Sequence, residues 1–155
     1  MSGQKLRKWL GRLLLLGVFL GGELPAQADS TNPGFDFLSF QDFFQTPIGP
    51  KGLVLTEKVQ ALQDHGVRLS GYRVRTEMPT VGWFLLVPLP NQISPEEDGD
   101  ANDLPANTVL VWLDPAHKRD VVPNDGAPLT VEGRFHWGAV VAPDGQTYWF
   151  SLQLP

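Results

Sequence analysis

The stretch from Val67 to Val74 reads Val-Arg-Leu-Ser-Gly-Tyr-Arg-Val and predicts a β-strand that changes its buried face part-way along. Val67 and Leu69 alternate with polar residues, which is the pattern of a strand with one face buried. After Gly71 the apolar positions move to Tyr72 and Val74, one step out of phase. Because a glycine at such a shift is typical of a β-bulge, we expect a bulged and bent strand here.

Four more segments downstream predict strands. Residues 82–87 and 108–113 are apolar at nearly every position, which indicates strands covered on both faces. Residues 129–137 and 147–154 alternate apolar and polar side chains, and the turn-forming residues 143–146, Pro-Asp-Gly-Gln, join them as a hairpin. The sequence therefore predicts five strands after residue 66.

A short helix and an aromatic arm precede the strands. Thr56 is a predicted N-cap, Val59 and Leu62 form the buried pair, and Gly66 ends the helix. Residues 29–52 are rich in phenylalanine and proline: Phe35, Phe37, Phe40, Phe43, Phe44, Pro33, Pro47 and Pro50. We expect these phenylalanines to cap an open end of the core, because large exposed apolar patches are uncommon on monomers. The alternative is an arm that docks a partner.

These elements predict a mainly β protein: a small five-stranded Greek-key, OB-like barrel with a short N-terminal helix and a Phe-rich N-terminal arm. Such a barrel buries one shared core and removes most free strand edges. The predicted organisation is a signal peptide over 1–28, the arm over 29–52 and the barrel domain over 53–155. One domain is the expectation for 155 residues.

The N-terminus has the three parts of an export signal. Residues 13–20 form an apolar core, and Ala26 and Ala28 give a small-x-small cleavage pattern before Asp29. The residues before the core are basic through Lys5, Arg7, Lys8 and Arg12. A membrane anchor is the alternative, but spanning a bilayer takes about 20 apolar residues. We therefore expect an exported protein, periplasmic or extracellular, with no transmembrane segment after cleavage.

Net charge and composition exclude certain partners and all cysteine-dependent sites. The net charge of −5 becomes −8 without residues 1–28, which hold four of the 12 basic and one of the 17 acidic residues. Such a chain repels phosphate backbones and anionic membranes, so nucleic acid is excluded as an expected partner. The absence of cysteine excludes disulfides, thiolate metal sites and cysteine nucleophiles.

Three segments carry a family resemblance. Residues 67–72 (Val-Arg-Leu-Ser-Gly-Tyr), 84–88 (Phe-Leu-Leu-Val-Pro) and 131–135 (Val-Glu-Gly-Arg-Phe) occur in this order. The chain from about Gly49 to Leu154 thereby resembles bacterial exported OB-fold-like proteins of unknown function. The resemblance implies the fold and the exported location, and it implies no established activity.

An acidic segment between the second and third predicted strands offers a speculative calcium site. Asp98, Asp100 and Asn102 occupy positions one, three and five of a calcium loop, with Asp103 following. Position six lacks the expected glycine, and position twelve is Val109 rather than glutamate. We favour a solvated acidic loop that keeps a sheet edge soluble, and we expect no cofactor.

Catalytic motifs are scarce. His65, His117 and His136 have no metal-ligand spacing, and no nucleophile elbow or phosphate-binding glycine loop occurs. The sequence therefore predicts a protein that is not an enzyme. A small metal-dependent or hydrolytic enzyme of the cell envelope is the alternative, and a cleft that joins a histidine to carboxylates would favour it.

Aromatic and basic residues predict a binding face. OB-type barrels bind extended ligands with aromatic and basic side chains of their strands. The candidates here are Tyr72, Arg73, Arg75, Trp83 and Trp112, with both arginines directed outward after Gly71. We predict a non-catalytic binding or assembly module that engages a protein or an extended ligand on this face. The alternative is that the tryptophans fill the barrel and the arginines pair with acidic residues.

Overall fold

A computed structural model describes residues 34–91 and 104–155, and these residues are mainly β. They form eight strands, one short α-helix and a 3-10 turn at Phe40–Asp42. The helix α1 spans Glu57–Ala61, and the strands are β1 Asp36–Leu38, β2 Gly66–Arg73, β3 Thr80–Val81, β4 Trp83–Val87, β5 Val109–Trp112, β6 Val121–Val122, β7 Pro128–Val141 and β8 Thr147–Gln153.

Five strands pair in a cycle that returns to its start. β2 pairs with β4, β4 with β5, β5 with β8, β8 with β7, and β7 again with β2. The β5–β8 pair is parallel and the other four pairs are antiparallel. β3 and β6 form a separate two-stranded sheet. The five strands of the cycle are the five that the sequence predicts, while the short β1, β3 and β6 lack such a signal.

The edge of β2 that faces away from β7 pairs with β1 near its start and with β4 near its end. β4 pairs with β2 through Tyr72 and Arg73, and then reaches Pro88 and Pro90, which have no N–H for a strand ladder. β1 pairs in parallel with residues 67–69 of β2 instead. The residues before the helix thus extend the sheet that the later strands form.

The sheet buries side chains on both faces. Along β4, Phe84 and Leu86 enter a first hydrophobic cluster, whereas Trp83, Leu85 and Val87 enter a second one on the opposite face. This confirms the prediction that β4 is covered on both sides. The first cluster is the larger and the more aromatic, and the second is closed by residues of the β7–β8 hairpin.

The predicted bulge at Gly71 is wrong. β2 and β7 pair residue for residue from Gly66 opposite Arg134 to Tyr72 opposite Pro128, without a shift. The apolar pattern changes phase because residues 67 and 69 face the first cluster while residues 72 and 74 face the second. A bulge lies instead in β7, where the register with β8 shifts between Trp137 and Val140.

The helix begins as predicted and ends differently. The Thr56 hydroxyl accepts a hydrogen bond from the Val59 N–H at 3.3 Å, as an N-cap does. Gly66 does not terminate the helix, because it is already the first residue of β2. The turn after the helix contains Asp64 in the left-handed conformation, with φ of 61°, which aspartate tolerates better than most residues.

The aromatic arm is part of the core. Phe43 is fully buried, with ring centroids 4.7 Å from Phe150 and 5.9 Å from Phe135 in edge-to-face arrangements. Phe40 stacks on Phe43 at 5.4 Å. These contacts agree with the capping interpretation of the arm, although Phe37 remains largely exposed.

Candidate functional site

Three of the predicted binding residues meet in the second hydrophobic cluster. Trp83 and Trp112 face each other across β4 and β5, and Tyr72 packs against the same cluster. Ala142 and Tyr148 of the β7–β8 hairpin belong to that cluster, and only 7% of Trp83 is exposed. The chain therefore covers most of this aromatic face itself.

The outward direction predicted for Arg73 is wrong. Its guanidinium lies 5.3 Å from the centroid of the Phe84 ring, and its side chain is only 15% exposed. Nη1 donates to a carboxylate oxygen of Asp125 at 2.8 Å. The Ala127 N–H and the charge and hydrogen bond of Arg73 lower the pKa of that carboxyl group. Arg73 is thus held between an aromatic ring and a carboxylate.

Arg75 is the more open of the two arginines. It is exposed, and its Nη2 donates to the Asp125 carbonyl at 3.0 Å. A cavity of about 210 Å³ lies beside it, lined also by Pro90, Asn91 and Gly126. Both arginines contact the turn at Asp125, and Arg75 is the more exposed of the two.

Two groups of predicted residues fall outside the described part of the chain. The signal peptide over 1–28 is one of them. The other is the speculative calcium site of Asp98, Asp100, Asn102 and Asp103. Both stay predictions.

Two of the three candidate histidines, His117 and His136, lie in separate surface pairs, and His65 is exposed in the turn before β2. His117 Nδ1 is 2.5 Å from Asp114 Oδ2 in an exposed turn, and His136 Nδ1 is 3.4 Å from Asp64 Oδ1. The Asp114 hydrogen bond raises the pKa of His117, and the same bond lowers the pKa of Asp114. Within residues 34–91 and 104–155, no three His, Asp or Glu side chains come together as a metal site would require.

A concave apolar site lies where the arm meets the β7–β8 hairpin. The cavity has a volume of about 400 Å³. We call it the aromatic pocket, and its lining residues are Phe44, Leu53, Leu55, Ala106, Trp137, Gly138, Trp149 and Phe150. Trp149 is 62% exposed at its rim, and Leu53 is also exposed.

The bulge in β7 shapes one wall of the pocket. Trp137 pairs with Phe150 and Val140 pairs with Tyr148, so two residues of β7 oppose the single residue Trp149. Gly138, one of those two, has φ of 145°, a conformation that L side chains rarely adopt. This wall therefore consists of the bulged strand β7, which carries Trp137, and the neighbouring strand β8, which carries Trp149.

The arm and the residues that follow it up to Leu55 supply the facing wall. Phe44 and Leu55 form an antiparallel bridge, and the Gln45 N–H donates to the Val54 carbonyl at 2.8 Å. This pairing folds residues 44–55 back on themselves, which places Phe44, Leu53 and Leu55 at the pocket. A site built in this way needs the arm and the hairpin together.

The pocket offers apolar contact and aromatic faces rather than charge. All eight lining side chains are apolar or absent. The Trp137 indole Nε1 donates to the Gln60 carbonyl at 3.4 Å. Such a surface can hold an aliphatic or aromatic group by burial and ring stacking.

Sequence reasoning did not single out this site. The alternation of β8 does place Trp149 on the solvent side, and a tryptophan at an exposed strand position is the signal that could have indicated it. Nothing local in the sequence indicates that Phe44 and Leu55 would come to lie beside it. The predicted face and the observed pocket thus share the use of tryptophan but no residue.

Comparison with known proteins supports the fold. The structure is similar to the crystal structure of a DUF3299 family protein from Pseudomonas aeruginosa PAO1, with a TM-score of 0.50. The two chains are 17% identical, and the match covers 78% of this chain and 93% of the other. At that identity the similarity shows the fold alone. No protein-family model matches the sequence, and no curated protein matches it either.

Within the two described ranges, no helix combines the length and the hydropathy needed to cross a lipid bilayer.

Proposed function

We propose that this protein is an exported, non-catalytic binding or assembly module that holds an apolar group of a protein or extended ligand in the aromatic pocket. The observation that carries this proposal is Trp149, a 62% exposed tryptophan at the rim of a concave apolar cavity. Burial of an exposed tryptophan side chain is strongly favourable in free energy, so a ligand that covers Trp149 is stabilised by that burial.

The dimensions of the pocket suit this role. Its volume of about 400 Å³ falls within the range of about 300–1,000 Å³ that is usual for ligand sites. Trp149 and Leu53 are both exposed at its edge, so a ligand can bury a rim as well as a centre. An interface with a packed aromatic centre is the arrangement in which a few residues supply most of the affinity.

The strand order supports an OB-like Greek-key barrel as the scaffold. Numbered along the chain, the five strands of the cycle pair in the order 1-2-3-5-4 and back to 1. The third and fifth of these strands run in the same direction, so the chain has to cross back between them, and it does so through the fourth strand. An exported binding module benefits from such closure, because few strand edges stay open.

Export is supported by the N-terminal sequence. A basic start, the apolar residues 13–20 and the Ala26-Gln27-Ala28 pattern are the parts of a secretory signal. A chain without cysteine folds in an oxidising compartment without the risk of wrong disulfides. We therefore place the module in the periplasm or outside the cell.

The enzyme alternative has less support. The Asp114–His117 pair lies on an exposed turn, and neither residue lines the aromatic pocket. The lining residues include no titratable side chain that could act as an acid or a base. The proposed role is therefore binding without chemistry.

The test is a substitution at the rim with a matched control. Trp149→Ala should weaken binding of the uncharged fluorescent dye N-phenyl-1-naphthylamine at least about tenfold, because an aromatic anchor contributes strongly to affinity. The same variant should fail to recover the partner that the wild-type protein captures from its own envelope fraction. Val141→Ala, on the same hairpin and equally exposed but outside the pocket, should change neither result. Equal dye binding by all three proteins would refute the proposal.

A further inference from the structure

Gln63 joins the wall of the aromatic pocket to a histidine. The Trp137 backbone N–H donates to Gln63 Oε1 at 2.8 Å, and Gln63 Nε2 lies 2.6 Å from His136 Nδ1. β7 pairs with β2 as far as Arg134, and Phe135 still exchanges backbone hydrogen bonds with His65 and Asp64 just before β2. The Gln63 side chain takes the place of a strand at Trp137.

The hydrogen bonds of Gln63 assign the position of a proton. A backbone N–H can only donate, so the atom that faces the Trp137 N–H is the amide oxygen. The other end of Gln63 is then the NH₂ group, which donates to His136 Nδ1. Nδ1 can accept only in a neutral imidazole that carries its proton on Nε2.

Asp64 makes the opposite demand on the same nitrogen. Its Oδ1 lies 3.4 Å from His136 Nδ1, and a carboxylate needs a proton on Nδ1 to gain a hydrogen bond. The uncharged groups at this imidazole are Gln63 from the turn after α1, Gly138 on the same strand and Ser151 opposite on β8. Charged Arg134 lies two residues before His136 on the same face of β7. His136 therefore has a neutral form that bonds Gln63 and a charged form that bonds Asp64.

Protonation of His136 disrupts the pair of hydrogen bonds that Gln63 makes. With a proton on Nδ1, two donors face each other across the 2.6 Å separation, so the Gln63 amide and the His136 ring have to move apart and Gln63 loses the contact that fixes its NH₂ end. Rotating the Gln63 amide does not help, because its NH₂ group would then face the Trp137 N–H. One of the two hydrogen bonds that Gln63 makes is lost in either case, next to the bulge at Gly138.

We propose that Gln63 is a positioning residue of the aromatic pocket, and that it couples the Trp137 wall to the protonation state of His136. Ligand affinity then falls as the pH is lowered and His136 becomes charged. The dependence of ligand affinity on pH rests on the proposed function. The coupling between His136 and Trp137 rests on the hydrogen bonds alone.

The experiment follows two signals over the same pH series. In isotope-labelled protein, NMR records the titration of the His136 ring together with the Trp137 backbone and indole N–H signals. Fluorescence records the affinity for N-phenyl-1-naphthylamine, whose naphthyl group is uncharged. We expect both Trp137 signals to follow the His136 titration. The dye should bind about fivefold more weakly to the protonated form, the factor that one net hydrogen bond produces.

Two variants distinguish coupling from a general effect of acid. His136→Asn keeps an oxygen that can accept from Gln63 but does not titrate, so affinity should no longer depend on pH in this range. Gln63→Glu replaces the NH₂ donor by a carboxylate oxygen that accepts from protonated His136, so the pH dependence should reverse. A purely structural role for Gln63 would lower affinity equally at every pH.

The outcomes separate the two proposals. Dye binding that ignores the His136 titration, with Trp137 signals that do not move, would overturn the coupling and leave the binding function standing. Trp137 signals that follow His136 in a protein that does not bind the dye would support the coupling and count against the pocket as a ligand site. Loss of the pH dependence in His136→Asn together with its reversal in Gln63→Glu would support both.

Discussion

Gly71 is a glycine that close packing requires. A Cβ built there would lie 2.6 Å from the Val87 carbonyl oxygen and 2.7 Å from Cε2 of Phe40. The strand is unbroken at this position, so glycine is required by close packing and not by a bulge. Gly71 is therefore the position at which Phe40 of the arm and Val87 of β4 pack directly against β2.

Replacing Gly71 by alanine should therefore destabilise the protein. We expect Gly71→Ala to lower the free energy of unfolding by about 1–3 kcal/mol, because an added methyl group in a packed site forces its neighbours apart. Urea unfolding followed by circular dichroism measures the change. Gly49→Ala is the control, since no atom lies within 4 Å of a Cβ at Gly49. A loss of stability equal to that of the control would contradict the packing argument.

The Asp114–His117 pair predicts a pH-dependent contribution. The Asp114 hydrogen bond raises the pKa of His117, so the stabilisation is complete below the unfolded value near 6.5 and is lost as pH rises through the folded pKa. The same bond lowers the pKa of Asp114, so its stabilisation is present above 3.8 and is lost as pH falls through the folded value. Both contributions are therefore complete between pH 3.8 and pH 6.5.

NMR titration of the His117 ring measures this effect directly. We expect a midpoint above 6.5 in the wild-type protein and a clearly lower midpoint in Asp114→Asn. Asp120→Asn should lower it less, because Asp120 acts only through its charge and is the weakest of the groups that raise this pKa. An unchanged midpoint in Asp114→Asn would show that the hydrogen bond does not persist in solution.

At the scale of an element, the end of β2 is tied to the turn before β7. Arg73 Nη1 donates to the Asp125 carboxylate and to the Pro123 carbonyl, while the Arg73 N–H donates to the Ala127 carbonyl. These bonds join strand and turn at three points. The arginine predicted to recognise a ligand is thereby a structural residue.

The two arginines should then respond differently to truncation. We expect Arg73→Ala to lower the free energy of unfolding by about 1–3 kcal/mol, because it removes the Asp125 pair and the contact with Phe84. Arg75→Ala, an exposed side chain on the same segment, should change it by no more than about 0.5 kcal/mol. Thermal and urea unfolding of both variants provide the comparison. Equal effects would show that Arg73 is not anchored by these contacts in solution.

At the scale of the whole molecule, stability has to come from the two clusters of the sheet. No cysteine is present, so no disulfide restricts the unfolded chain. The first cluster gathers residues from β1, the arm, α1 and the five strands of the cycle.

That start is a prediction of its own. The small-x-small pattern at Ala26 and Ala28 predicts a mature protein that begins at Asp29. Intact-mass spectrometry of the protein recovered from the periplasm or the medium should give the mass of residues 29–155. A blocked variant, Ala28→Phe, should accumulate as the uncleaved chain. Recovery of wild-type protein that still carries residues 1–28 would refute processing at this site.

The sequence by itself determined where the five strands of the cycle lie and where the helix begins. Alternation in residues 129–137 and 147–154, continuous apolar runs at β4 and β5, and a threonine before α1 are local signals. They are readable because the period of a strand and the cap of a helix depend on residues next to each other in the chain.

Only the tertiary structure decided what each face meets. The alternation in β2 records that side chains are buried but not against which layer, so Gly71 suggested a bulge and Arg73 suggested a free cation. The aromatic pocket joins Phe44 of the arm to Trp137 and Trp149 of the hairpin, more than 90 residues further along the chain. Such a site exists only after strands distant in sequence have paired, because periodicity describes one segment and packing depends on several.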